Sequence, residues 1–318
     1  MNLKKNGVGI LAIIVFLMIL TIPARADRIS FGYQNGVNYV SAMVADELGF
    51  FEEEGLDVEG KIFTSGPLVT ESLVSGSIQV GMMGDTPAII AVTKELPVTI
   101  LASVAGGPER NRLMVRPEGG INNLSDLEGK RIGIPYGTSS HGGLYTLARQ
   151  KNIDLDNLTL LNIRPADMVD ALGTAQVDAV VVWEPTPSLI EAEGSGIELM
   201  TLKKINNQFP TFLMANKLLL DSNPEVGTKI INALDKANQF INNNWEEAVD
   251  IAARVTGLDK DVVDNAMDYI YYDLNLNQKT IDSFNQTAHF LLEYQSISNL
   301  PEVDKSFDKT HLDQATIE

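Results

Sequence analysis

A chain of 318 residues, 44% hydrophobic and 21% charged, can bury a sizeable core and has room for two ordinary domains, which excludes a single small module, a disordered chain and a polytopic membrane protein. Its 24 basic and 42 acidic residues give a net charge of -18, and since residues 1 to 26 hold Lys4, Lys5, Arg25 and no acid, the remainder carries 21 minus 42, or -21. Such a body has no basic footprint for nucleic acid or an anionic membrane, and without cysteine it has no thiol nucleophile, disulfide, thiolate zinc site, iron-sulfur cluster or cysteine-linked lipid.

At the N-terminus Lys4 and Lys5 precede an apolar run from Val8 to Ile22, broken only by Gly9 and Thr21, and Ala24-Arg25-Ala26 follows. This layout predicts a secretory signal peptide over 1–26, cut before Asp27, and places the protein in a periplasmic or extracytoplasmic space. The alternative is an uncut anchor, although the run is short of the ~20 residues a spanning helix needs.

From Arg28 to Tyr33 the chain alternates as a strand, and Val40, Met43, Val44 and Leu48 then recur at helical spacing up to Gly49. Leu56 to Phe63 predicts a second strand, Gly66-Pro67 a helix through Leu73, and Ile78 to Met82 a third strand. Thr86-Pro87 sets a capping hydroxyl before a proline at the first helical position, the helix runs to about Lys94, and Val98 to Val104 is a fourth strand. After the turn-rich stretch Pro117 to Asn123, strands at Arg131 to Ile134, Leu158 to Ile163, Val177 to Trp183 and Ile197 to Leu202 alternate with helices starting near His141, Pro165 and Pro185. Phe212 to Ala215 is one more strand. Beyond Pro224 only helices are predicted, over 224–244, 246–256, 259–271 and 278–295. Alternating strand and helix implies an α/β fold of mostly parallel sheets covered on both faces, in two units, with a helical tail that needs one of them to bury its apolar face.

Ligands of parallel sheets bind outside the carboxyl ends of the strands. Four such junctions stand out: Gln34 to Gly36, Gly84 to Pro87, Gly137 to His141, and Trp183-Glu184-Pro185. In the third, Thr138, Ser139 and Ser140 open a helix whose free N–H groups and dipole favour an anion; the simpler alternative is that one of these hydroxyls caps the helix and binds nothing. Asp85 either points away from such an anion, accepts hydrogen bonds from its own helix start, or meets a cationic part of the ligand, and Glu184 poses the same question. Trp183 is either a wall of the cleft or a core residue at the sheet edge, while Trp245 is assigned to packing. A body at -21 repels a diffusing anion, so local dipoles, not long-range steering, are expected to hold it.

No Gly-x-Ser-x-Gly elbow and no phosphate loop is present, and His141, His289 and His311 are too scattered for a metal cluster, so no catalytic residue, metal or cofactor is assigned. An enzyme with Ser139 or Ser140 as nucleophile and His141 as base is disfavoured, because nucleophile and base usually come from different elements.

Several segments closely resemble the substrate-binding proteins of ABC importers for aliphatic sulfonates, taurine and nitrate. They are Gly32-Tyr33-Gln34, VADELGFFEEEGLDVE at 44–59, SGP at 65–67, SLVSGSIQVGMMGDTPAIIA at 72–91, DLEGKRIGIPYGTSSH at 126–141, ALGTAQVDAVVVWEP at 171–185 and FLMANKLLL at 212–220. The resemblance implies a two-lobed, type II periplasmic-binding-protein fold with lobe 1 formed by 27–113 and 212–318, lobe 2 by 114–211, and the helical tail packed on lobe 1. It implies a monomer that captures a small anion or zwitterion, taurine or another aliphatic sulfonate, between the lobes and delivers it to permease and ATPase subunits. Nitrate, bicarbonate, a thiamine-pyrimidine precursor and a sensory role remain alternatives. By position, the resemblance assigns ligand contacts to Gln34, Asp85, Thr86, Thr138, Ser139, Ser140, His141, Trp183 and Glu184, with Ser65 and Asn38 as weaker candidates.

Overall fold

The computed structural model describes residues 28–315, so the expected leader lies outside the described residues. Eleven strands form two sheets. The first contains β1 (Ile29–Gln34), β2 (Val58–Phe63), β3 (Val80–Gly84), β4 (Val98–Gly106), β10 (Thr211–Asn216) and β11 (Tyr271–Asn275), in the order β11-β4-β10-β3-β1-β2. The second contains β5 (Asn111–Val115), β6 (Arg131–Ile134), β7 (Thr159–Asn162), β8 (Ala179–Trp183) and β9 (Ile197–Thr201), in the order β7-β6-β8-β5-β9. Helices flank both, giving the expected two-lobed α/β fold.

The sheets are mixed, which corrects the expectation of mostly parallel ones. β1 is parallel to β2 and β3, and β6 to β7 and β8, but β10 is antiparallel to β3 and β4, and β5 to β8 and β9. The reason lies in the crossings. A chain arriving from the other lobe enters at the cleft end of the sheet and can only run away from it, against the strands that end there. β5 does this after Gly107–Arg110, and β10 does it on the way back.

Two strands escape the apolar pattern. β5 begins Asn111-Arg112, although all five of its residues are buried. β11 lies where the pattern predicted a helix reaching 271; that helix ends at Met267, and Tyr271–Asn275 pairs with β4 as a sheet edge. By contrast the nine-residue β4, buried throughout, is the continuous apolar run expected of a strand covered on both faces.

The tail packs on lobe 1 as expected and also reaches lobe 2. The helix Val226–Asn243 buries one face against the helix Val40–Glu47 and β11. The helix Lys260–Met267 packs on the lobe 2 helix Thr186–Ala192, and the helix Gln278–Glu293 lies against both Asp85–Thr93 and Ser139–Lys151. Among the described residues, no helix is long and apolar enough to cross a membrane.

Candidate functional site

β1, β3, β6 and β8 end where the two lobes meet, and the four junctions singled out in the sequence come together there: Ser139 bonds to Asp85, Asn38 to the Glu184 carbonyl, and Gly36 lies beside Pro185. Gly137, at φ +68°, supplies the left-handed turn that leads from β6 into the helix Ser139–Lys151. None of the three hydroxyls at this start caps the helix. Thr138 Oγ1 donates to the Pro135 carbonyl at 2.6 Å, Ser140 Oγ donates to Asn111 Oδ1 at 2.5 Å, and Ser139 Oγ donates to the carboxylate of Asp85 in the opposite lobe. The capping alternative therefore fails, and the first-turn N–H groups are left for another acceptor.

Asp85 is fully buried and is the first residue of its own helix. Its Oδ1 accepts the Thr86 N–H at 2.8 Å, and its Oδ2 accepts Thr287 Oγ1 from the tail at 2.7 Å. Thr86 was expected to cap this helix. Asp85 satisfies the Thr86 N–H instead, and Thr86 Oγ1 is buried with no partner.

Arg110 was not singled out from the sequence. It lies on the crossing between β4 and β5, 4% exposed, with Nη1 donating to Asn38 Oδ1 and to Thr211 Oγ1, each at 2.9 Å. Burial draws its guanidinium below the ordinary value, opposed by the nearby Asp85 carboxylate and the phenols of Tyr39, Tyr271 and Tyr272. Its Nε has no partner, and neither does Nδ2 of the fully buried Asn111 next to it. Arg110 places a full positive charge beside the helix start, in addition to the local dipoles expected from the sequence. The available sequence signal was a pair of arginines, Arg110 and Arg112, bracketing a lobe crossing.

The other expected contacts divide. Gln34 Nε2 donates to the Tyr39 hydroxyl, which burial keeps protonated by raising its pKa. Asn38, 4% exposed, donates from Nδ2 to the Glu184 carbonyl at 3.0 Å and so ties lobe 1 to lobe 2. Ser65 precedes the helix Gly66–Val74 without a capping bond. Trp183 is half-buried and packs against the lobe 2 core cluster that includes Val182 and Ile190. The Glu184 side chain turns into lobe 2, where Oε1 accepts Arg112 Nη1 at 2.9 Å and Oε2 accepts Ser188 Oγ at 2.7 Å.

His141 faces away from Asp85 into an aromatic cluster. It stacks on Tyr136 at 4.9 Å and meets Tyr145, Phe290 and Tyr294 edge-on. Its Nδ1 accepts the Gly137 N–H at 3.1 Å, which puts the proton of the neutral ring on Nε2. Burial lowers its pKa from 6.5 to about 4. The unfolded chain therefore binds the extra proton first as pH falls: the stability His141 contributes is full above 6.5 and is lost progressively down through about 4. His141→Phe should flatten urea-measured stability between those two values relative to the native protein.

The site is thus a set of buried donors, Thr86 Oγ1, Arg110 Nε and Asn111 Nδ2, beside a helix start and a carboxylate shared across the lobes. A family model described as NMT1/THI5 like matches residues 37–248. The chain belongs to this family. Within that frame, a putative aliphatic sulfonates-binding protein of Bacillus subtilis (strain 168) is 24% identical over 324 residues, covering 98% of this chain and 97% of that protein. The taurine-binding periplasmic protein of Escherichia coli (strain K12) is 28% identical over 180 residues, covering 56% of this chain and 55% of that protein. Among solved structures, the periplasmic aliphatic sulphonate binding protein SsuA of Escherichia coli matches with a TM-score of 0.80 at 22% identity, over 88% of this chain and 91% of that one. The fold is that of the periplasmic binding proteins.

Proposed function

We propose that the chain is the extracytoplasmic substrate-binding component of an ABC importer, which holds a small oxyanion-bearing solute between its lobes and hands it to a membrane permease. The best-fitting solute is taurine or another aliphatic sulfonate. One observation carries this reading: Thr86 Oγ1, Arg110 Nε and Asn111 Nδ2 are buried donors without acceptors, a costly arrangement unless an acceptor-rich group enters. A sulfonate brings three acceptor oxygens to these donors. Because β5 (Asn111–Val115) lies wholly in the second sheet and β10 starts at Thr211 in the first, the expected boundaries at 113/114 and 211/212 move to the crossings just before these strands; residues 1–26 are taken as the export signal of a monomeric protein. The names of the sulfonate- and taurine-binding relatives support the same reading.

Calorimetric titration with taurine, ethanesulfonate and nitrate tests it. Both sulfonates should bind at micromolar Kd or tighter and nitrate more weakly, because a smaller anion cannot reach every donor. Failure of both sulfonates to bind below millimolar concentration would sink the assignment.

A further inference from the structure

A second feature of the cleft lies where the helix Ser139–Lys151 of lobe 2 faces the tail helix Gln278–Glu293. A cavity of about 10 Å³ sits between them, lined by Ser139, Thr146, Asn207, Gln286 and Thr287 among others. That is room for roughly one water-sized atom. The helices come this close because Gly142 has no side chain: a Cβ there would stand 2.7 Å from Phe290.

The wall of this cavity presents an acceptor. Gln286 Nε2 donates to the Ile205 carbonyl at 3.0 Å, which commits the other end of the amide, Oε1, to accepting. That oxygen is buried with no donor. Its neighbours cannot serve it: Thr287 gives its proton to Asp85, and Ser139 gives its proton to the same carboxylate. The Gln286 oxygen is thus an acceptor without a donor beside Ser139 and Thr287, both bonded to Asp85, while Thr86, Arg110 and Asn111 are donors without an acceptor.

The charge count points the same way. Arg110 and Asp85 together leave the buried site neutral, so a bare anion would add an uncompensated charge, whereas a ligand that carries its own cation would not.

We propose that this cavity is the subsite for a primary ammonium at the far end of the ligand, with the Gln286 carbonyl oxygen as its specificity-determining acceptor. The proposal rests on the sulfonate-binding reading and adds a determinant on the tail helix, beyond residues 37–248 that carry the family match.

The experiment compares taurine with ethanesulfonate, which has the same anion and carbon chain but no ammonium, on the native protein, Gln286→Met and Gln286→Glu. The methionine variant keeps the length and removes the acceptor; taurine affinity should fall at least tenfold while ethanesulfonate affinity stays within twofold. The glutamate variant should widen the preference for taurine at least fivefold, chiefly by weakening ethanesulfonate. Because the two variants move the ratio in opposite directions, a folding defect cannot imitate the result. Equal losses for both ligands, or no change in the ratio, would overturn the subsite and indicate a place for an ordered water only. If the native protein binds neither sulfonate, the function proposed above fails first, and this subsite falls with it.

Discussion

Arg110→Met should weaken sulfonate binding by about 2 to 5 kcal/mol, at least roughly thirtyfold in Kd, the range for truncating one partner of a buried charged contact. The guanidinium is held by Asn38 and Thr211, and its Nε, without a partner, is the charged member of the trio Thr86, Arg110 and Asn111. Asp85, fully buried, loses its nearby cation in this variant, so some stability is lost as well. The double variant Arg110→Met with Asp85→Asn separates the two effects: it should recover thermal stability and leave sulfonate binding lost. Arg110→Lys should recover only part of the affinity, because an ammonium restores the charge but not the planar fork. Near-native calorimetric affinity of Arg110→Met for ethanesulfonate would remove Arg110 from the site.

The largest stability effect is expected at Arg112. It is 1% exposed and meets three carboxylates: Glu184 at 2.9 Å, Glu191 at 2.5 Å and Glu198 at 2.6 Å. Its face lies 4.4 Å from the ring of Tyr269 on the tail. Burial alone would lower the pKa of Arg112, but Glu184 and Glu191 outweigh it and raise it. Glu184 receives only a share of the one cation, and burial pushes it up from 4.5 to about 7 against Arg112 and Ser188. Removing the guanidinium strands at least one buried acid, and Arg112→Met should cost about 3 to 5 kcal/mol in chemical denaturation. Glu184→Gln should be far milder and should rescue part of the Arg112→Met loss, since a neutral side chain needs no cation.

The pH dependence of Glu184 is opposite in sign to that of His141. The native state binds its proton more tightly than the unfolded chain, so its contribution is full below about 4.5 and is lost as pH rises through about 7. Arg112→Met should therefore be least destabilised at the acid end of that window. A loss that does not vary with pH would show that Glu184 is not the group left stranded.

Much of this molecule could be read from its residues. Nine strands follow from apolar runs of the right length, and the helix start at Gly137 to His141 follows from a glycine and three hydroxyls after a strand. β5 and β11 do not, because Asn111-Arg112 and Asp273 interrupt the pattern, and each strand is stabilised by partners far along the chain. The site divides in the same way. Asp85, Ser139 and Ser140 are visible as polar residues at strand ends. That Ser139 meets Asp85, 54 positions away, and that Thr287 closes on the same carboxylate from 202 positions away, depends on how the lobes and tail pack.

The sequence by itself determined the alternation of elements, the family and the junctions at which polar residues gather, because those depend on spacing and composition along a short stretch. Only the tertiary structure decided which way each polar residue turns. Glu184 and His141 stand at the same kind of junction as Asp85 and Ser139. Arg112 draws Glu184 into lobe 2, and four aromatic rings from lobe 2 and the tail enclose His141. The orientation of a buried polar group is set by where its charge or hydrogen bond can be satisfied, and here those partners come from other segments of the chain.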